Sequence, residues 1–236
     1  MGYIGNFPTA LPLSSNDLND GIVTTSKLAN DSVNASKLDE TDNYAFTGTV
    51  SGAGDNAGMK LLATGASLTA TANLDIQNVF STNYKAYKIY ARFRPLTDGA
   101  DLRGKWLNGS TATTSSEYRW SIDFNYRGSS ASGDGEVGGF GTDYMRFNRF
   151  GISGSDNFGI FLDLTAWNPM ALSTTYGSKD GFLTGHTYSY ANSNYVEACR
   201  IINNWQLDED NDGVRFFFTT GDVREHWYAI YGVNLA

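Results

Sequence analysis

The sequence predicts an all-β protein whose C-terminal part is an antiparallel β-sandwich, jelly-roll-like, preceded by an extended N-terminal stalk. Three observations predict it. From about Lys60 onward apolar residues alternate with polar ones, the period of strands with one buried face. Gly, Ser, Asn and Asp cluster between these runs, as turns require. Aromatic residues make up 14% of the chain, and only Tyr3, Phe7, Tyr44 and Phe46 precede residue 80. An apolar-poor segment therefore leads into a body able to bury a core.

Residues 1–12 carry Pro8 and Pro12 with Gly5 and Asn6, which favours an extended chain. From 13 to 38 a large aliphatic residue falls on every fifth position, at Leu13, Leu18, Val23, Leu28, Val33 and Leu38. Val23-Thr-Thr-Ser-Lys-Leu28 recurs as Val33-Asn-Ala-Ser-Lys-Leu38. Such a step fits neither one face of a helix nor one face of a strand. It suits short extended pieces and turns stacked unit upon unit. The ladder's aliphatic side chains offset only part of the entropy of ordering this stretch, so it is expected to intertwine with other copies. The closed symmetry expected of such a rod is threefold, a trimer. A composition rich in Ser, Asn, Asp and Thr also fits a disordered linker; the register of the repeat favours the stalk.

The run Ser51-Gly52-Ala53-Gly54-Asp55-Asn56-Ala57-Gly58 reads as a flexible joint. This gives three parts: residues 1–12, a repeat stalk and joint over 13–58, and a sandwich over 59–236. Within the last, Leu68, Ala70, Ala72, Leu74 and Ile76 alternate with polar residues, as do Tyr87, Ile89, Ala91 and Phe93 before Pro95. The clearest strand sets Tyr118, Trp120, Ile122, Phe124 and Tyr126 against Arg119, Ser121, Asp123 and Asn125. Phe158, Ile160, Leu162 and Leu164 are expected to face inward, opposite Gly159, Phe161 and Asp163. Further strands are expected over 102–107, 145–152, 187–190, 195–207, 214–219 and 227–233, and one helical turn over 76–84.

Charge and composition narrow the function. The chain has 17 basic and 25 acidic residues, a net charge of −8. Without a basic stripe it is not expected to bind nucleic acid or an anionic membrane. No apolar run approaches the roughly 20 residues that span a bilayer. Residues 1–20 lack the basic and apolar regions of a secretory signal, so synthesis in a cytoplasm is expected. Cys199 is the only cysteine, which leaves no intrachain disulfide and suits a small buried residue.

Tyr3-Ile4-Gly5-Asn6-Phe7-Pro8-Thr9-Ala10, the Val-x-x-Ser-Lys-Leu repeats and Asn43-Tyr44-Ala45-Phe46-Thr47-Gly48-Thr49-Val50-Ser51-Gly52 resemble the start of bacteriophage tail-fibre proteins, particularly of marine and cyanobacterial phages. Beyond Gly54 only a general likeness to compact β-rich fibre tips remains. The resemblance implies a virion structural protein, on the tail or capsid surface, made in the host cytoplasm. It implies attachment to other phage tail or capsid proteins through the N-terminal segment, where Tyr3, Ile4, Phe7 and Pro8 are the apolar handles. It also implies a homotrimer, with Leu13, Leu18, Val23, Leu28, Val33 and Leu38 as stalk contacts, and variable C-terminal domains for host recognition. The expected role is adhesion to the host surface, through a glycan, without catalysis. A capsid-decorating fibre of the same architecture is one alternative. A surface-glycan depolymerase is the other, although residues 59–236 leave little room for an extended substrate groove.

Few residues suggest catalysis. The two histidines, His186 and His226, fit turn or strand-end positions. Gly151-Ile-Ser153-Gly-Ser155 lacks the last glycine of a nucleophile elbow, and no zinc motif occurs. Asp123 and Asp163 are the carboxylates to inspect as a glycosidase pair, although solvated strand charges explain them better. Asp208, Asp210 and Asp212, with Gly213 at the sixth position, match the start of a calcium loop. The closing glutamate is missing, Thr219 standing there, and a polar hairpin turn is the other reading. The Gly/Ser tract 128–141 reads as a long recognition loop. Tyr126, Gly133, Gly138, Phe140, Tyr144 and Trp167 are its candidate receptor-binding residues, with Trp106 and Tyr176 as further aromatics able to stack on sugar rings.

Overall fold

The computed structural model describes residues 58–233, apart from Lys85, Ser115, Ser130, 155–158, Asn168, 170–180, 192–194 and 206–209. The chain divides after Ser51, and the described residues belong to the second unit. Tyr3, Ile4, Phe7 and Pro8 and the ladder Leu13, Leu18, Val23, Leu28, Val33 and Leu38 lie outside the described residues.

The described residues form an all-β fold without a helix, in two antiparallel sheets. Eight strands make the larger sheet: β1 (Met59–Ser67), β3 (Ala86–Pro95), β6 (Tyr118–Gly128), β7 (Ser132–Thr142), β9 (Ile160–Trp167), β10 (Gly181–Ala191), β11 (Tyr195–Trp205) and β13 (Val223–Val233). Their spatial order is β1, β13, β3, β9, β10, β11, β6, β7. The smaller sheet runs β2 (Leu74–Ile76), β12 (Gly213–Phe218), β4 (Leu102–Asn108), β5 (Thr111–Ala112), and β8 (Met145–Arg146) pairs with β4.

The long strands form where alternation is strict. Tyr87, Ile89, Ala91 and Phe93 of β3, and Ile160, Leu162, Leu164 and Ala166 of β9, are all buried. These inward positions meet the smaller sheet in one cluster. Phe93 lies 4.8 Å from Phe216 of β12, and Phe80 packs edge-on to Tyr87 and Trp106 at 4.7 and 5.7 Å.

Four segments depart from the sequence expectation. The alternation over 68–76 is not one strand. The chain leaves the larger sheet at Ser67 and enters the smaller at Leu74, and Leu68, in the crossing, is 86% exposed. Over 76–84 no helical turn forms, because tertiary partners take the backbone groups. The Val79 and Phe80 N–H groups donate to the Asp212 carbonyl at 2.8 and 3.0 Å. The Tyr87 hydroxyl accepts from the Ser81 N–H at 2.7 Å and donates to its carbonyl at 2.6 Å.

Over 145–152 only Met145 and Arg146 pair as a strand, with β4. The chain then crosses the inner side of β10 and β11, where polar side chains satisfy its backbone. Asn203 accepts from the Arg146 N–H at 3.2 Å and donates to its carbonyl at 3.3 Å. The Thr187 hydroxyl donates to the Phe147 carbonyl at 2.7 Å. Glu197 accepts from the Arg149 and Phe150 N–H groups at 3.0 and 3.2 Å, and from the Ser189 hydroxyl at 2.9 Å. Only 1% of Glu197 is exposed, and burial pushes its carboxyl above the ordinary range against these hydrogen bonds. Burial and the neighbouring Glu197 charge likewise push the Cys199 thiol up, so Cys199 is the inert buried residue the sequence suggests.

The tract 128–141 is mostly strand rather than loop. β7 pairs along β6 and forms an edge of the sheet. Gly133, Gly135 and Gly139 stand opposite Tyr126, Phe124 and Trp120, and each ring lies where a glycine Cβ would be. Three inward positions of β7 thus lack side chains because the partner strand's aromatics fill the space, and the fourth, Val137, stands opposite Ile122 and packs against the core. No alternation can show in such a sequence.

Two outcomes test this scaffold. Trp120→Ala should cost roughly 3–5 kcal/mol, and Gly139→Ala roughly 1–3 kcal/mol through displacement of the ring. With Trp120 already truncated, the Gly139→Ala cost should largely vanish in a double-mutant cycle read by urea unfolding. Additive costs would place the ring elsewhere.

Glu197 gives a pH signature. A carboxyl whose native pKa is raised loses relative stability as pH climbs from its ordinary value, 4.5, through the raised native value, and the loss then stays constant. The stability of the parent relative to Glu197→Gln should fall across that window. A difference flat from about pH 4 to about pH 8 would refute the buried assignment. Glu197→Ala should cost roughly 1–3 kcal/mol, since two buried N–H groups lose their acceptor.

Candidate functional site

Strands that turn one set of residues into a core turn the other set to solvent. On the outer face of the eight-stranded sheet, aromatic residues have no packing role to explain them, yet several stand there together. Strand register places Trp227 of β13, Arg92 of β3, Phe161 of β9 and Tyr188 of β10 side by side in one row across the sheet. Trp227, Phe161 and Tyr188 are 40%, 41% and 51% exposed. The Arg92 guanidinium lies over the Phe161 ring, 5.6 Å from its centre.

Two hollows flank this Arg92 and Phe161 ridge. The first, about 290 Å³, is lined by Ala66, Ser67, Leu68, Arg92, Glu225, His226 and Trp227. The second, about 320 Å³, is lined by Gly159, Phe161, Tyr188, Ser189, Tyr190 and Val196. In the first, Glu225 accepts from Arg92 and, at 2.7 Å, from Arg94. Its carboxylate is mostly buried between two guanidiniums, a geometry that fixes both arginines. His226 stacks on Tyr228 at 6.3 Å. Its buried Nδ1 has no hydrogen-bond partner, and burial lowers its pKa, which favours the neutral imidazole.

Two residues along each strand, on the same face beside the aromatic row, runs a charged row: Asp163, His186, Arg200 and Asp123. Lys88 pairs with Asp163, and Arg200 with Asp123 at 3.3 Å. Asp123 and Asp163 are three strand spacings apart, about 14 Å. That exceeds the separation of either glycosidase geometry, at most about 9.5 Å. Each is held by a basic partner as a strand charge.

The receptor-binding candidates read from the sequence do not converge. Trp167 and Phe140 do point outward in one row, but four strand spacings, about 19 Å, separate them. Phe140 is 77% exposed beneath the Arg119 guanidinium at 4.6 Å, and the Trp167 indole donates to Thr184 at 3.2 Å. Gly138 is exposed on the same face. Tyr126, with Gly133 against its ring, turns to the other side and packs on Phe150 and Tyr195 at 5.0 and 5.2 Å. Tyr144 is half-buried, with the Arg103 guanidinium 3.8 Å from its ring centre. Trp106 is a core residue, contrary to its expected role as a sugar platform. Tyr176 lies outside the described residues.

Of the calcium candidates, Asp208 also lies outside the described residues. The Asp212 carboxylate accepts from the Gly109 N–H at 3.0 and 3.1 Å, holding a turn in which Gly109 takes a positive φ of 59°. Among the described residues no three carboxylate, histidine or cysteine side chains gather where a metal ion would sit.

Phe161, Tyr188, Trp227, Arg92 and Glu225 were missed as site residues. The signal was parity: Phe161 is an aromatic on the polar face of an otherwise alternating strand. No family model matches the chain, and no curated protein or solved structure matches it. Within the described residues the arrangement offers stacking faces and hydrogen-bonding charges rather than a nucleophile with its base.

Proposed function

We propose that this protein is a bacteriophage virion structural protein, a homotrimeric tail fibre or spike. Its N-terminal segment attaches to the virion through Tyr3, Ile4, Phe7 and Pro8, and the repeat stalk intertwines three copies. Its C-terminal domain, a jelly-roll-like sandwich, binds a glycan on the host cell surface. The observation that carries the reading is the outward row Trp227, Arg92, Phe161, Tyr188, where aromatic faces stand beside charged groups as sugar rings require. Recognition accordingly sits on the sheet face rather than on the tract 128–141. The N-terminal motifs supply the virion part of the reading. A capsid-decorating fibre differs only in what residues 1–12 bind.

Native mass measurement on the full chain should give three copies. Placing aspartate at Leu28 and Val33 should dissociate them and weaken adsorption to host cells by about a hundredfold or more, through lost avidity, while the β-rich body still melts as before. A parent chain that is a stable monomer, or that fails to coat host cells, overturns the proposal.

A further inference from the structure

We infer that the bodies of neighbouring copies pack on one another through an apolar rim of the eight-stranded sheet, built from Met59, Leu61, Val233, Trp167 and Phe182. This rests on the homotrimeric reading above and names the surface by which the three bodies meet.

The rim follows from strand register. Met59 of β1, Val233 of β13, Ala86 of β3, Trp167 of β9 and Phe182 of β10 stand side by side on the outer face, one from each of five neighbouring strands. All five are apolar, on the face where polar residues alternate with the core. Met59, Trp167 and Phe182 are 52%, 40% and 39% exposed, and Leu61, in the next row, is 51% exposed. The row spans four strand spacings, about 19 Å. Trp167 brings no unmet polar group to it, because its indole N–H already donates to the Thr184 hydroxyl. A contiguous apolar strip of this kind marks a contact surface.

Three observations make a second copy the occupant. The first is place. The stalk proposed over residues 13–58 runs into β1 at Met59, so the covalent tether between copies ends on the rim itself. The row from Trp227 to Tyr188 lies toward the other end of the same strands. Six residues separate Phe161 from Trp167 on β9, about 20 Å, so a copy seated on the rim leaves the glycan row open.

The second is charge. Copies of a chain with net charge −8 repel one another unless the surfaces that meet leave acids out. The rim holds no carboxylate, and neither does the adjacent row from Leu61 to Ile202. Lys88, the cation of that adjacent row, pairs with Asp163. Aromatic residues and Met with Asp and Glu left out is the composition of an interface core.

The third is size. The exposed parts of Met59, Leu61, Trp167 and Phe182 sum to on the order of 300 Å², below the roughly 800 Å² per partner of a stable complex. Free copies do not hold together through so small a patch. Copies tethered by a stalk stand at about millimolar effective concentration, where it is enough. The contact thus depends on the stalk and disappears with it.

The test is bismaleimide cross-linking of the full chain with one cysteine placed on the outer face, Cys199 being buried. Phe182→Cys should link copies at least tenfold faster than Asn125→Cys, an exposed position far along the same face. Thr165→Cys, a small exchange two residues from Trp167, should behave as Phe182→Cys does, and melting temperatures check that each variant folds. Adding Leu28→Asp and Val33→Asp should abolish the difference, since the tether is then lost. Trp167→Asp combined with Phe182→Asp should leave the native mass at three copies and raise the radius of gyration in solution scattering as the bodies separate. Equal cross-linking at Phe182, Thr165 and Asn125 in a three-copy parent overturns the rim contact and leaves the trimeric reading standing. Unchanged scattering from the doubly substituted trimer also overturns it, and if that variant loses host adsorption the rim belongs to the host surface instead. A parent of single copies is the failure of the trimeric reading and takes this inference with it.

Discussion

A buried carboxylate holds the body together where its sheets do not meet. The smaller sheet, four strands on its main path, cannot cover the inner face of eight. Residues 146–153 cover part of the remainder, and a covering chain that is not a strand brings peptide groups into the interior with no ladder to pair them. Glu197 accepts two of those N–H groups and the Ser189 hydroxyl, while Thr187 and Asn203 serve Phe147 and Arg146. From the covering side Asn148 reaches out, accepting from the Leu102 N–H at 2.7 Å and donating to the Phe150 carbonyl at 2.6 Å. Desolvation of Glu197 opposes this arrangement, but an apolar residue there would strand two buried donors. The polar residues inside β10 and β11 are therefore structural, and the aromatic cluster around Phe93 and Phe216 forms above a floor they keep flat.

What could be read from the sequence follows the same division. β3, β6 and β9 were legible because each inward residue is large and apolar and each outward one mostly polar. β7 was illegible because its inward positions other than Val137 are glycines; the information that it is a strand resides in Trp120, Phe124 and Tyr126, on its neighbour. The first half of β10, Gly181 to His186, was missed because Gly181 and Gly185 occupy inward positions. The crossing at 146–153 depends on partners some fifty residues away in sequence, at Glu197 and Asn203, which no local pattern encodes. The candidate site was half legible. Aromatics on polar-face positions were visible one strand at a time, but only the register sets Trp227, Arg92, Phe161 and Tyr188 in a single line.

The open edge of the larger sheet carries its own protection. β7 has no described strand on its far side, and a flat glycine-rich edge invites a stranger's backbone. Its outward residues include Asp134 and Glu136, both exposed. A strand arriving from another copy would bring the same two carboxylates toward them, and like charges directly opposed are disfavoured. The acid excess of the chain thereby acts against lateral association at this edge.

The alternation along each strand has a consequence for how such a surface can change over generations. Inward and outward residues share a backbone but almost no neighbours: Ile160 and Leu162 answer to the core, while Phe161 between them answers to solvent. Substitutions on the outward set leave packing alone and alter stability by roughly half a kcal/mol or less. A lineage can therefore rewrite the eight-stranded face residue by residue while each intermediate still folds. The fold separates heredity into two interleaved texts, one held fixed by packing and one free to drift with whatever the face must meet.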